Sequence, residues 1–154
     1  MKYSVLIFSI LFCLGAGAIG SFFTFSAIPT WYIYLDKPAF SPPNWIFGPV
    51  WTTLYILMGI SLYLVLMSEN KKRKKAVRIF MLQLMLNIAW SIFFFGFKNA
   101  TLGFVDIILL LLTIILTAKV FYHISKPASY LLIPYIAWVS FAAVLNFSII
   151  VLNR

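Results

Sequence analysis

The chain is short of acid, of histidine and of cysteine, and each shortage closes off a class of function. Only three carboxylates occur in 154 residues, and charged residues are 10% of the whole. A water-facing surface carries about 25% charged residues, so most of this surface must face lipid instead. Paired catalytic carboxylates, a nucleophile with its base and a metal-binding cluster are all missing, which leaves hydrolytic chemistry without equipment. Cys13 is the single cysteine. It permits no internal disulfide and no cysteine-based metal site, and in an apolar stretch it reads as a small packing residue. His123, the lone histidine, stands beside Tyr122 and Lys126 at a helix end, where it reads as a solvated cap rather than a haem ligand.

What is present is apolar. Hydrophobic residues are 64% of the chain and the mean hydropathy is +1.04. A bilayer core needs about 20 apolar residues per helix, and five stretches qualify: 3–25, 45–67, 77–97, 101–122 and 129–152. The expected fold is therefore all-α, a bundle of five transmembrane helices forming one domain over 1–154. Pro29, Pro38, Pro42 and Pro43 forbid helix through the first loop. Ser68 to Lys75 is too charged for lipid, and short polar turns follow at Lys98-Asn99 and at His123 to Pro127. Asn44 and Ser129 are the expected N-caps of the second and fifth helices. Pro49 and Pro134, each near the fifth position of its helix, predict local kinks. Lys2, an apolar run and Gly15-Ala16-Gly17-Ala18 imitate a signal peptide, but the run continues through Phe25, and a retained first helix is expected.

The net charge of +9 is concentrated in Lys71-Lys72-Arg73-Lys74-Lys75 and Arg78. That run lies between two apolar stretches and reads as a juxtamembrane loop; no aqueous surface is left to host a nucleic acid. Nine cations (Lys2, Lys71, Lys72, Arg73, Lys74, Lys75, Arg78, Lys119, Lys126) fall on one side, and three (Lys37, Lys98, Arg154) on the other. The positive-inside rule places the N-terminus and loop 68–76 in the cytoplasm and the C-terminus outside. No internal repeat is visible, which argues against an alternating-access transporter.

Polar groups within spans face the bundle interior or a cavity. Helix three carries Gln83, Asn87 and Ser91 with Trp90 and Phe94; helix five carries Tyr135, Trp138, Ala142 and Asn146; helix two carries Trp51, Tyr55 and Met58. Spacings of three and four put each set on one face. Two readings are open: hydrogen-bonding glue between helices, or a pocket walled by flat rings. Trp90 and Trp138 lie too deep for an interfacial belt and favour the pocket. Asp106, the one acid inside a span, shares a face with Thr113 and Thr117 and reads as a capping or interhelical group ahead of a proton or cation site. Cys13, Gly17 and Ser21, beside Ala16, Gly20 and Thr24, let another backbone approach helix one, either within the chain or in a second copy. A homodimer is the expected assembly.

The string from Lys37 through Pro42-Pro43-Asn44-Trp45-Ile46-Phe47-Gly48-Pro49-Val50-Trp51 to Tyr55 resembles the signature of the translocator protein family, also called tryptophan-rich sensory protein. Gln83–Phe94, Ala100–Asp106 and Pro134–Trp138 through Asn146 resemble it too, so the likeness covers nearly the whole chain. It implies a five-helix bundle with a pocket under the first loop. The implied ligands are protoporphyrin IX and other tetrapyrroles, with drug-like hydrophobic molecules, and no obligatory cofactor. Trp51 and Trp138 would face each other across the pocket, Asn87 and Asn146 would make polar contacts, and Trp31, Tyr32 and Pro42 would close it. Tyr55, Trp90 and Ala142 complete the expected ligand contacts. Some bacterial members are similar in having a light- and oxygen-dependent porphyrin degradation that needs the pocket tryptophans, which makes Trp51 and Trp138 the candidate catalytic residues. The Tyr-then-Arg sterol motif of animal members is absent: Phe147 follows Asn146, so a bacterial-type protein of the cell membrane is expected. A porphyrin or lipid transporter, or a stress-sensing scaffold without catalysis, is the alternative.

Overall fold

The computed structural model describes residues 2–154. Helix α1 spans Lys2–Ala27, and a short 3-10 turn, Tyr32–Tyr34, sits in the loop that follows. Helix α2 spans Asn44–Leu66, and α3 spans Arg73–Ser91 and runs on through a π-helical turn, Ile92–Gly96. Helix α4 spans Ala100–Tyr122, α5 is the short Lys126–Tyr130, and α6 is Ile133–Leu152. Among the described residues there is no strand, and five segments are long and apolar enough to cross a membrane, α5 and α6 together making the fifth. The chain is an integral membrane protein.

Lipid offers no hydrogen bonds, so hydroxyls within the spans commonly turn back onto their own helix. The hydroxyls of Ser9, Ser21, Thr113, Thr117 and Ser140 each donate to the carbonyl one turn earlier. Thr113 and Thr117 therefore make no bond to another helix. Between α3 and α4 the chain reverses at Lys98, whose φ of 52° is left-handed, and the Asn99 side chain accepts from the Leu102 N–H at 2.9 Å. Asn99 thus caps α4, and Asp106 is left buried in its second turn with one carboxylate oxygen unpartnered. The Arg73 guanidinium donates to the Leu66 and Ser68 carbonyls at 3.1 and 2.9 Å and closes the C-terminus of α2, as a cation at that end should.

Three expectations about helix ends are corrected. The residue before α2 is Pro43, and Asn44 makes no capping bond. The fifth span begins earlier than Ser129: Ser125 accepts from the Ala128 N–H, and Pro127 occupies the first turn, where its missing N–H costs nothing. Ser129 instead donates to the Ala118 carbonyl of α4 at 2.8 Å. The span is then interrupted at Leu131-Leu132, so Pro134 falls in the first turn of α6 rather than at a fifth position. Among the described residues Pro49 alone lies beyond the first turn of a helix.

Helix α1 packs on α2 and α3; α4 packs on α3, α5 and α6; α2 reaches the fifth span mainly through α5. The small residues of α1 meet partners within the chain. A Cβ on Gly17 would collide with the Tyr55 ring, and one on Gly20 would lie 2.9 Å from the Ser91 hydroxyl. From the other side Gly59 of α2 sits so close to α1 that a Cβ would come 2.5 Å from the Ile10 Cα. Ser61 donates to the Ala128 carbonyl at 2.7 Å, and Phe80 stacks on Phe121 at 5.8 Å, which binds the end of the bundle opposite the first loop.

Candidate ligand pocket

At the other end the helices part around a cavity of about 410 Å³, within the range of small-molecule sites, about 300–1,000 Å³. Helix α1 contributes its small face, Gly17, Gly20 and Ser21, and so makes room rather than contacts. Helix α2 contributes Phe47, Trp51 and Tyr55; α3 contributes Asn87, Trp90 and Ser91; α6 contributes Trp138, Ala142 and Asn146. The first loop closes it with Ile28 and Tyr32. No charged side chain is in the lining.

A hydrogen-bonded chain fixes one wall. The Tyr55 hydroxyl donates to Asn87 Oδ1, and Asn87 Nδ2 donates to the Tyr135 hydroxyl at 2.8 Å, joining α2, α3 and α6. Asn146 is held as firmly: its Nδ2 donates to the Ala100 carbonyl at 2.8 Å and its Oδ1 accepts from the Trp90 indole at 3.3 Å. These amides are glue and wall together, so the two readings of the polar faces coincide in the same side chains. Trp51 lies against Tyr55 at 5.8 Å and edge-on to Tyr135 at 6.2 Å. Trp90 stacks on Phe94 at 5.2 Å. Trp138 differs: its Nε1 is buried with no partner. A buried donor without a partner costs about 1–3 kcal/mol, and no hydrogen bond fixes the orientation of this ring.

The loop over the cavity is tied down on two sides. The Lys37 ammonium donates to the Tyr32 and Leu35 carbonyls at 2.9 and 2.8 Å and lies 4.8 Å over the Tyr32 ring. Asp36 and Asn153 exchange a reciprocal pair, the Asp36 N–H to Asn153 Oδ1 at 3.0 Å and Asn153 Nδ2 to the Asp36 carbonyl at 2.9 Å. Burial of Tyr32 beneath this strap raises its hydroxyl above the ordinary value of 10.0.

Of the side chains expected at the site, the structure brings together Tyr32, Trp51, Tyr55, Asn87, Trp90, Trp138, Ala142 and Asn146. Trp31 and Pro42 lie outside the lining: Trp31 packs edge-on to Phe94 at 5.4 Å, behind the wall, and Pro42 is half-buried in the loop. His123 ends α4 away from the cavity, and no cluster that could hold a metal occurs among the described residues. The sequence reading missed Phe47, Phe95, Leu145 and the α1 face as lining. The α1 signal was visible as small residues, but nothing in it says whether a cavity or another helix fills the gap.

A model of the TspO/MBR family matches residues 9–152. The chain is 51% identical to Tryptophan-rich protein TspO of Archaeoglobus fulgidus, covering 99% of each chain. It is 49% identical to the protein of the same name from Chlorobaculum tepidum, over 92% of this chain and 90% of the relative. It is 38% identical to the human Translocator protein, over 85% of this chain and 79% of the relative.

Proposed function

The chain belongs to the TspO/MBR family, and from that premise we propose that it is a receptor-like membrane protein for flat, apolar ring systems. Protoporphyrin IX and related tetrapyrroles are the foremost ligands, with drug-like hydrophobic molecules as others. The observation that carries this is a cavity walled by three indoles, Trp51, Trp90 and Trp138, without a charged side chain. Flat rings gain from stacked and edge-on contacts by about 0.5–1.5 kcal/mol beyond area burial. The small face of α1 leaves a slot, and the fixed amides of Asn87 and Asn146 hold its walls apart without reordering on binding, which favours affinity.

The reading includes light- and oxygen-dependent porphyrin degradation. The bound ring absorbs the light and dioxygen is the oxidant. The excited ring takes an electron from Trp51 or Trp138 and passes it to dioxygen, and the superoxide so formed adds to the macrocycle. The adduct returns one electron to the indole radical cation, so that both oxygen atoms end on the ring and the indole is restored. Trapping of a reactive oxygen species is the indoles' alternative role. Acid-base residues are not needed for that step. The orientation belongs to the proposal too: loop 68–76 lies in the cytoplasm and the strapped first loop faces out of the cell. The test is porphyrin fluorescence under illumination in the parent, Trp51→Phe and Trp138→Phe. Loss of degradation with retained dark binding is expected. Degradation at the parent rate in both variants would remove the indoles from the chemistry.

A further inference from the structure

A second, shallower crevice of about 560 Å³ opens between α2 and α6, where the two helices do not pack along their length. Its floor is Val50, Leu54 and Leu57 on one side and Ala137 and Phe141 on the other, with Pro49 and Pro134 at its ends. It runs from Pro49 to Leu57, roughly 12 Å of α2 at the helical rise per residue, parallel to the spans. Its one hydroxyl, Thr53, is already spent on the Pro49 carbonyl at 2.9 Å. Water and headgroups have nothing to bind there. A hydrocarbon chain lying along the helices fits its length, direction and chemistry.

Trp138 lines both the crevice and the pocket. Its ring meets Phe47 of the pocket lining edge-on at 5.9 Å and Phe141 of the crevice lining at a tilt at 5.5 Å. No hydrogen bond pins its indole, so rotating it breaks only ring contacts. The strap over the mouth, by contrast, is closed by Lys37 and by the Asp36–Asn153 pair. We infer that the α2–α6 crevice is a lateral doorway from the bilayer, filled at rest by a phospholipid acyl chain, with Trp138 as its door. The acyl-chain site stands on the crevice alone; passage of a ring ligand rests on the proposed function.

The test begins without any ligand. A protein keeping Trp138 as its sole tryptophan is placed in bilayers of phosphatidylcholine brominated at mid-chain, which quenches rings in contact with the chain. Trp138 emission should fall about twofold or more relative to ordinary lipid, because a chain in the crevice would lie at contact distance from the ring and bromine quenching is short-ranged. Ala137→Phe, which fills the crevice from an exposed position, should restore most of it. Equal emission in both lipids, or quenching untouched by Ala137→Phe, overturns the site. Trp138→Phe with the other tryptophans kept gives the same contrast by difference and guards against misfolding of the single-tryptophan protein. Efficient disulfide formation between copies through Ala137→Cys in a Cys13→Ala background would also overturn it, since a second copy would then cover the crevice. With protoporphyrin IX, Ala137→Phe should slow both association and dissociation by about tenfold, leaving Kd unchanged, as a raised barrier on a shared path must. Unchanged rates with intact Kd refute the doorway; no saturable porphyrin binding by the parent refutes the proposed function, while the quenching result still decides the acyl-chain site.

Discussion

Replacing Asn87 with leucine removes a side chain that joins three helices, and the cost can be worked out. Asn87 accepts from Tyr55 and donates to Tyr135; both tyrosines are buried, Tyr135 completely. Deleting a side-chain hydrogen bond within a membrane bundle costs about 0.6 kcal/mol on average and about 1.7 at most. Two bonds are lost here and both hydroxyls are left without a partner, so the sum lies toward the upper end, about 2 kcal/mol. For a chain of this size that is a fall in Tm of about 4–8 °C. Cys13 supplies the assay, because its thiol is fully buried and reacts with a thiol-specific dye only after unfolding. The loss comes from orphaned hydroxyls rather than lost volume, so Asn87→Leu combined with Tyr55→Phe and Tyr135→Phe should recover at least half of it. A triple variant no more stable than Asn87→Leu alone would refute that reasoning.

Gly59→Ala should destabilise by about 3 kcal/mol through overpacking, because the methyl meets the Ile10 backbone, whereas Gly15→Ala, with open space around it, should be neutral or stabilise by about 0.4–1 kcal/mol; dye-monitored melting separates them. Asn153→Ala frees the strap at an exposed site and should cost under about 1 kcal/mol. Hydrogen exchange should then quicken across residues 28–43, while porphyrin association through the lateral doorway keeps its rate. The raised Tyr32 hydroxyl contributes nothing that varies below pH 10, and stability then declines as the unfolded chain ionises first. Tyr32→Phe should therefore make the fall in Tm above pH 10 shallower than in the parent, and parallel curves would contradict it.

The five spans were legible because lipid demands long apolar runs, and prolines and charges punctuate them. Which face of each helix points inward was harder to read. A span that is apolar all round hides its inner face from hydropathy, so only polar, aromatic and small residues marked it. They marked it well on α2, α3 and α6, where Trp51, Asn87 and Trp138 converge. The ends were read less well. Asn44 and Ser129 had the right chemistry for caps, but Asn44 already lies inside α2 and Ser125 with Pro127 starts α5. The break at Leu131-Leu132 carries no glycine and precedes its proline, so no local signal announced it. Trp31 was placed by resemblance, but its position behind Phe94 depends on how the loop folds back on the π-helical turn.

The central claim is that the space between Trp51, Trp90 and Trp138 holds a flat ring ligand. Its most direct test is a dark titration of the bilayer-reconstituted protein with protoporphyrin IX, read by quenching of tryptophan emission, in the parent and in Ala142→Phe. Ala142 is a buried lining residue, so the added ring fills the slot, and an unreacted Cys13 thiol certifies that the variant is folded. Saturable one-to-one quenching in the parent and its loss in folded Ala142→Phe are predicted. Absence of saturation in the parent, or equal affinity in the two proteins, would contradict the account.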